Sequence, residues 1–188
     1  MSLYGRRRGR PLLLTRIRFS FVDLTPEFGV STENVQVQFD RLLKLDGIKR
    51  IAAFGGWAAS TLASTYYIFR EGVKPGNREI LSTNLANFIL ENDLEGIDID
   101  WEYPAVPDIP GIPPADPMDG DHYLEFLKLL RAKLPNESVA IAAPASYWYP
   151  QGFPIAEIAE IVDYIVFMAY DLHGQWDYDN PWSQDGRP

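Results

Sequence analysis

The segment Leu94–Pro104, LEGIDIDWEYP, sets the tightest limit on how this chain can fold. It carries Glu95, Asp98, Asp100 and Glu102, with Ile97, Ile99 and Trp101 interleaved among them. In a strand, residues two apart face the same way, so Asp98, Asp100 and Glu102 share one face and Ile97, Ile99 and Trp101 the other. The apolar face packs under helices. The acidic face must look into water, a barrel mouth or a cleft at the C-terminal ends of the strands. Two like charges ~5 Å apart at an effective dielectric of ~20 repel by roughly 3 kcal/mol, about two pKa units. The three carboxylates therefore do not all stay ionised at neutral pH. A shared proton and a raised Glu102 pKa suit a general acid. A merely solvated strand face has no reason to concentrate one sign of charge.

The surrounding chain alternates strand and helix, and its 188 residues suffice for one domain with a sizeable core. RIRFSFVDL (Arg16–Leu24) reads as a strand. Ser31 and Thr32 can cap a helix with Val35, Phe39, Leu42 and Leu43 on its apolar face. IKRIAAF (Ile48–Phe54) is the next strand, ended by Gly55-Gly56, and a second helix carries Leu81, Leu85, Phe88 and Ile89. After the acidic strand come a helix from about Asp121 to Leu134, the strand SVAIAA (Ser138–Ala143), a short helix Ile155–Ile161 and the strand YIVFMAYD (Tyr164–Asp171). Five strands joined by four helices predict an α/β fold with a parallel sheet and right-handed crossovers. The connection Pro104–Gly120 holds six prolines. It is too long for a plain link and reads either as a solvated loop or as a cleft wall.

Charge and composition narrow the partners. The net charge of −9 argues against nucleic acid as a partner of the body. The basic run RRRGR (Arg6–Arg10) belongs to residues 1–15, expected as an unstructured tail. No cysteine is present, so disulfides and thiolate metal sites are excluded. No apolar run approaches the ~18 residues of a membrane span, and PLLL is too short for a secretory core. Asn136-Glu137-Ser138 is a glycosylation sequon that matters only if the chain is secreted.

Two chemistries suit the acidic strand: a divalent metal site or acid–base work on a sugar. The only histidines, His122 and His173, lack helix-type ligand spacing, and the neighbouring Trp101 and Tyr103 favour a sugar ring. Here a resemblance enters. EGIDIDWEYP resembles the Asp-Gly-x-Asp-x-Asp-x-Glu signature of family 18 glycoside hydrolases, the chitinase family. AAFGGW (Ala52–Trp57) resembles that family's Ser-x-Gly-Gly strand, APASYW (Ala143–Trp148) its fifth strand and MAYDLHGQWD (Met168–Asp177) its Met-x-Tyr-Asp strand. With DIPGIPP and YLEFLKLLR, the chain is most similar to the fungal killer-toxin-like subgroup.

The resemblance implies a partial (β/α)8 barrel, its second to sixth strands, over residues 16–188, acting on chitin or chitooligosaccharides outside the cell without cofactor or metal. It implies a substrate-assisted reaction, an exception to the two-carboxylate rule. Glu102 would be the acid and later the base. Asp100 would orient the acetamido group, Asp98 would share a proton with Asp100, and Tyr170 would donate to the acetamido oxygen. Asp171, Met168, Trp57, Tyr103 and Trp176 would contact the sugar. Three departures accompany it. Glu95 replaces the first Asp, at the expected buried start of the strand. Ala53 stands where a Ser supports the inner aspartate. The length falls short of the about 250 residues of a full barrel. The expectations that follow are open edges at Arg16–Leu24 and Tyr164–Asp171, self-association, an acidic face wetted by water, and weak turnover. A non-catalytic, chitin-binding remnant is the alternative.

Overall fold

The strand–helix alternation closes into a single six-stranded sheet in the computed structural model, which describes residues 15–146 and 148–171. The elements are β1 (Arg16–Leu24), β2 (Val30–Ser31), α1 (Gln36–Leu43), β3 (Lys49–Gly55), α2 (Trp57–Thr61), α3 (Tyr67–Gly72), α4 (Arg78–Glu91), β4 (Gly96–Asp100), α5 (Asp119–Lys133), β5 (Ser138–Pro144), α6 (Ile155–Ala159) and β6 (Tyr164–Met168). The strand order is β2-β1-β3-β4-β5-β6. All neighbours pair in parallel except β2, which runs antiparallel to β1 at Asp23 and Leu24. The five parallel strands are those expected from the sequence. The expected four helices become six, because α2 and α3 are too short to show a helical period, and β2 is only two residues long.

The sheet curls. Laid flat, five strands would put β1 and β6 about 19 Å apart. Yet the Arg16 guanidinium of β1 lies 4.5 Å from the centroid of the Tyr164 ring of β6. One side chain spans that gap only if the sheet bends toward its interior face, as a section of barrel does. The outer face carries the core: Ile97, Ile99 and Trp101 are all but fully buried. Trp101 stacks on Phe69 of α3 at 5.9 Å and meets Tyr123 of α5 edge-on at 5.3 Å. Phe19 and Phe54 reach the helices through Phe39 and Phe88.

Several local expectations change. Helix α1 begins after a 3-10 turn, Glu33–Val35, and no side chain caps it; Ser31 instead accepts from the Glu33 N–H at 3.3 Å. Glu95 is not buried. Its longer side chain accepts from Arg50 through N–H at 2.6 Å, Nε at 3.1 Å and Nη2 at 2.8 Å, so an ion pair replaces the expected packing fault. The proline-rich connection is not loosely solvated: Val106 and Ile109 are buried, and the buried Arg70 donates to the Pro113 carbonyl at 2.7 Å.

The pair Gly55-Gly56 has a backbone reason. Gly55 (φ +112) approaches β4 so closely that a Cβ there would overlap the Asp100 carbonyl oxygen. Gly56 donates its N–H to that same oxygen at 2.7 Å. Gly55→Ala combines strain with overpacking and should cost about 3 kcal/mol or more. Gly76→Ala, with open space around it, should change stability by less than about 1 kcal/mol. Urea denaturation of the two variants checks this, and equal midpoints would contradict it.

Candidate active site

Three carboxylates from β4 and its continuation line the interior of the curl. Asp98 and Asp100 lie on the strand, while Glu102 stands just beyond its last ladder bond. Glu102 is fixed through its backbone, whose N–H donates to Ser60 Oγ at 3.0 Å; Ser60, on α2, is itself buried. The register places Ala53 and Ala140 beside Asp98 and Gly55 beside Asp100. These small neighbours leave room for the carboxylates and offer them no side-chain donors.

The row is dry. Asp98 is 1 %, Asp100 9 % and Glu102 8 % exposed. This overturns the expectation of a wetted acidic face. The curl brings β1 over the row, and Arg18 reaches Asp98, Nε to Oδ2 at 3.2 Å. Burial is the largest influence on all three carboxyl groups. It raises Asp98 to about 6 against the opposing charge of Arg18, with Asp100 adding to the rise. Asp100 is likewise raised to about 6 by burial, against Arg18. Glu102 is raised to about 7 by burial and then by the charge of Asp100, while a hydrogen bond with the Tyr103 hydroxyl pulls it down. Mutual repulsion, the cause argued from the sequence, is real but secondary.

The other candidate residues fall into three groups. Tyr170 and Asp171 follow β6 and face the row: the Tyr170 hydroxyl is raised by partial burial and then by Asp100 and Glu102, and Asp171 adds to the rise at Glu102. Both are exposed on their solvent side. Tyr103 is buried, with Tyr149 stacked on it at 4.7 Å, so one face of its ring is occupied. Trp57 opens α2, is 52 % exposed and lies 6.5 Å from Tyr103. Met168 is buried in the core at the end of β6. Trp176 lies outside the described residues. A hollow of about 370 Å³ is lined by Val22, Asp23, Gly55, Ala59 and Ile68, and by none of the three carboxylates. A second, of about 310 Å³, lies between the proline-rich connection and the 73 %-exposed Trp148. Among the described residues, no group of three or more His, Cys, Asp or Glu side chains is placed to hold a metal ion.

Arg18 and Ser60 were not singled out in the sequence. Arg18 had a signal: Arg16, Arg18 and Ser20 alternate with Ile17, Phe19 and Phe21, the period-two pattern that was read in β4. Ser60 had none, since its partner is a backbone N–H.

The raised carboxyl pKa values make stability depend on pH. In the unfolded chain these groups ionise near ~4. In the folded chain they hold protons up to about 6 for Asp98 and Asp100 and about 7 for Glu102, and buried Asp119, raised to about 6 first by burial, acts in the same direction. The folded state therefore binds more protons than the unfolded one across this window, so stability falls as pH rises through it. The melting temperature should be higher at pH 5 than at pH 8, and Asp100→Asn should flatten the difference. Calorimetry at the two pH values checks this, and a melting temperature that climbs from pH 5 to pH 8 would contradict it.

Comparison with known proteins gives concordant matches. Residues 3–184 match the family described as glycosyl hydrolases family 18. A secreted chitinase of Penicillium expansum is 54 % identical over 174 residues, 92 % of this chain and 12 % of that protein. The killer toxin subunits alpha/beta of Kluyveromyces lactis are 46 % identical over 164 residues, 86 % of this chain and 14 % of that protein. The chain thus spans about an eighth of the length of these curated relatives. Among solved structures, the Group IV chitinase of Ostrinia furnacalis superposes with a TM-score of 0.73 at 27 % identity, over 89 % of this chain and 46 % of that one.

Proposed function

The chain belongs to glycosyl hydrolase family 18, and from that premise we propose that it carries the catalytic row of a chitinase. The reaction is cleavage of β-1,4-linked N-acetylglucosamine in chitin or chitooligosaccharides, outside the cell, with retention of configuration and the substrate's own acetamido group as nucleophile. The observation that carries this reading is Glu102, held neutral up to about pH 7 in a dry interior. A carboxylic acid that keeps its proton near neutrality is what protonation of a glycosidic oxygen requires.

Each residue has a role on this reading. Glu102 gives its proton to the leaving oxygen as the acetamido carbonyl oxygen attacks the anomeric carbon, making an oxazolinium ion. Asp100 orients the acetamido N–H and stabilises the positive charge. Tyr170 donates to the acetamido oxygen, and Asp171 holds the distorted sugar. Glu102, now a carboxylate, takes a proton from the water that opens the ring. Asp98 shares the proton of Asp100. Trp57 offers an exposed ring beside Tyr103, while Tyr103 tunes Glu102 through its hydroxyl. No step needs a metal or cofactor. The burial of the row supports turnover more strongly than the sequence alone did.

A second reading, a chitin-binding form without turnover, rests on one observation: neither oxygen of Asp98 has a hydrogen-bond partner among the described residues. The expected open edge at β1 is covered at Asp23 and Leu24 by the two-residue β2; on either reading, the rest of β1 and the outer strand β6 offer edges for further strands or another chain.

Hydrolysis of chitohexaose, followed with a chelator present, decides between them. Glu102→Gln should lower turnover by ~10²- to 10⁴-fold and leave binding nearly unchanged, because Gln keeps the shape without the proton. Cellohexaose, which lacks the acetamido group, should not be cleaved. Turnover that survives Glu102→Gln, or cleavage of cellohexaose at a comparable rate, would contradict the mechanism. Binding without hydrolysis in the unaltered chain would favour the second reading.

A further inference from the structure

Asp98 is almost wholly removed from water, yet neither of its oxygens has a hydrogen-bond partner among the described residues. Its neighbours across the ladder, Ala53 and Ala140, carry no polar side chain. A buried carboxylate without donors takes up a proton unless a counter-ion stands beside it. Arg18 stands there, 29 % exposed, with Nε 3.2 Å from Oδ2. Its N–H is not aimed at the oxygen, so the contact is an ion pair rather than a hydrogen bond.

Register shows how the pair forms. Arg18 is on β1, opposite Ile51, and Asp98 is on β4, opposite Ala53. The two residues are two strand spacings apart, ~9.6 Å in a flat sheet, and one layer apart along the strands. Only a long side chain on a curled sheet covers that distance, and the strand between them presents Ala53, with nothing beyond Cβ. Among the charged and titratable groups around Asp98, Arg18 comes from β1, and Arg16 lies lower on the same strand against Tyr164 of β6. β3 and β5 contribute none beside it. Asp100 and Glu102 share its strand and continuation. Tyr170 and Asp171 follow β6, and Tyr123 comes from α5 on the far face. Within this set Arg18 is the cation that acts on both Asp98 and Asp100.

We propose that Arg18 is a positioning residue that keeps Asp98 the anionic member of the Asp98–Asp100 pair, so that the proton they share rests on Asp100, next to Glu102. Arg18 contacts Asp98, so the guanidinium favours the charge there, against the deeper burial of Asp98 and the charge of Asp100, which both oppose it. The catalytic consequence rests on the hydrolase reading, while the location of the proton does not.

The test follows carboxyl carbons and the Arg18 Nε–H by NMR during a pH titration of the full chain. In the unaltered protein Asp98 should ionise before Asp100, and the Arg18 Nε–H should move with the Asp98 midpoint. Arg18→Met should raise the Asp98 midpoint by about one unit, a tenfold change, and cancel the order; Arg18→Lys, which keeps the charge, should preserve it. With chitohexaose, Arg18→Met should carry the acidic limb of the pH–rate profile upward and leave the limb set by Glu102 in place. An Arg18→Met chain that melts earlier but titrates as before has lost only structure, and that result overturns the proposal. If Arg18→Met does not fold, the unaltered chain decides: an Nε–H indifferent to the ionisation of Asp98, or Asp100 ionising first, overturns it. If no form hydrolyses chitohexaose, the hydrolase reading fails, and the titration still decides the place of the proton.

Discussion

Taking a carboxylate out of water is costly, and this chain does it at Asp98, Asp100 and Glu102 along one strand and its continuation. Much of the architecture serves that desolvation. The alternate residues Ile97, Ile99 and Trp101 hold β4 down on the helices through buried aromatic contacts. Gly55 and Gly56 bring β3 against the backbone of Asp100. The curl of the sheet brings β1, and with it Arg18, over the row. The consequence is chemical: an acid that keeps its proton to about pH 7 next to two carboxyl groups that ionise near 6. The same groups set stability against ionisation, so the desolvation that holds their protons also weakens the fold as pH rises.

The five parallel strands could be read from the sequence because each is a run of β-branched, aromatic or alternating residues, and β1 was bounded correctly at Arg16 and Leu24. The faces of β4 were also legible, since a period of two leaves no freedom. What the sequence did not reveal has physical causes. Helices α2 and α3 complete fewer than two turns, too few for a hydrophobic stripe. Helix α1 starts later than its sequence cap signal at Ser31 and Thr32 because a 3-10 turn intervenes. Glu95 looked like a packing fault because its partner, Arg50, lies on a different strand.

The largest gap concerned water. An open sheet predicts a wetted acidic face, and the alternation in β1 prevents it. Arg16 and Arg18 point inward, and their long side chains reach Tyr164 and Asp98 across the curl. Reading them as a cover needs the sheet's curvature, which pairing patterns alone do not supply. The match to less than half of a solved chitinase therefore coexists with a row that is already desolvated in this segment.

Burial within these residues, more than repulsion among the carboxylates, raises the Glu102 pKa. Titration of the Glu102 carboxyl carbon by NMR in the unliganded chain, with and without Asp100→Asn, measures it directly. Removing the Asp100 charge should lower the midpoint from about 7 only part of the way toward the ordinary ~4.3 of a glutamate. A midpoint near ~4.3 in the unaltered chain would contradict the account, as would a fall all the way to that value on removing Asp100.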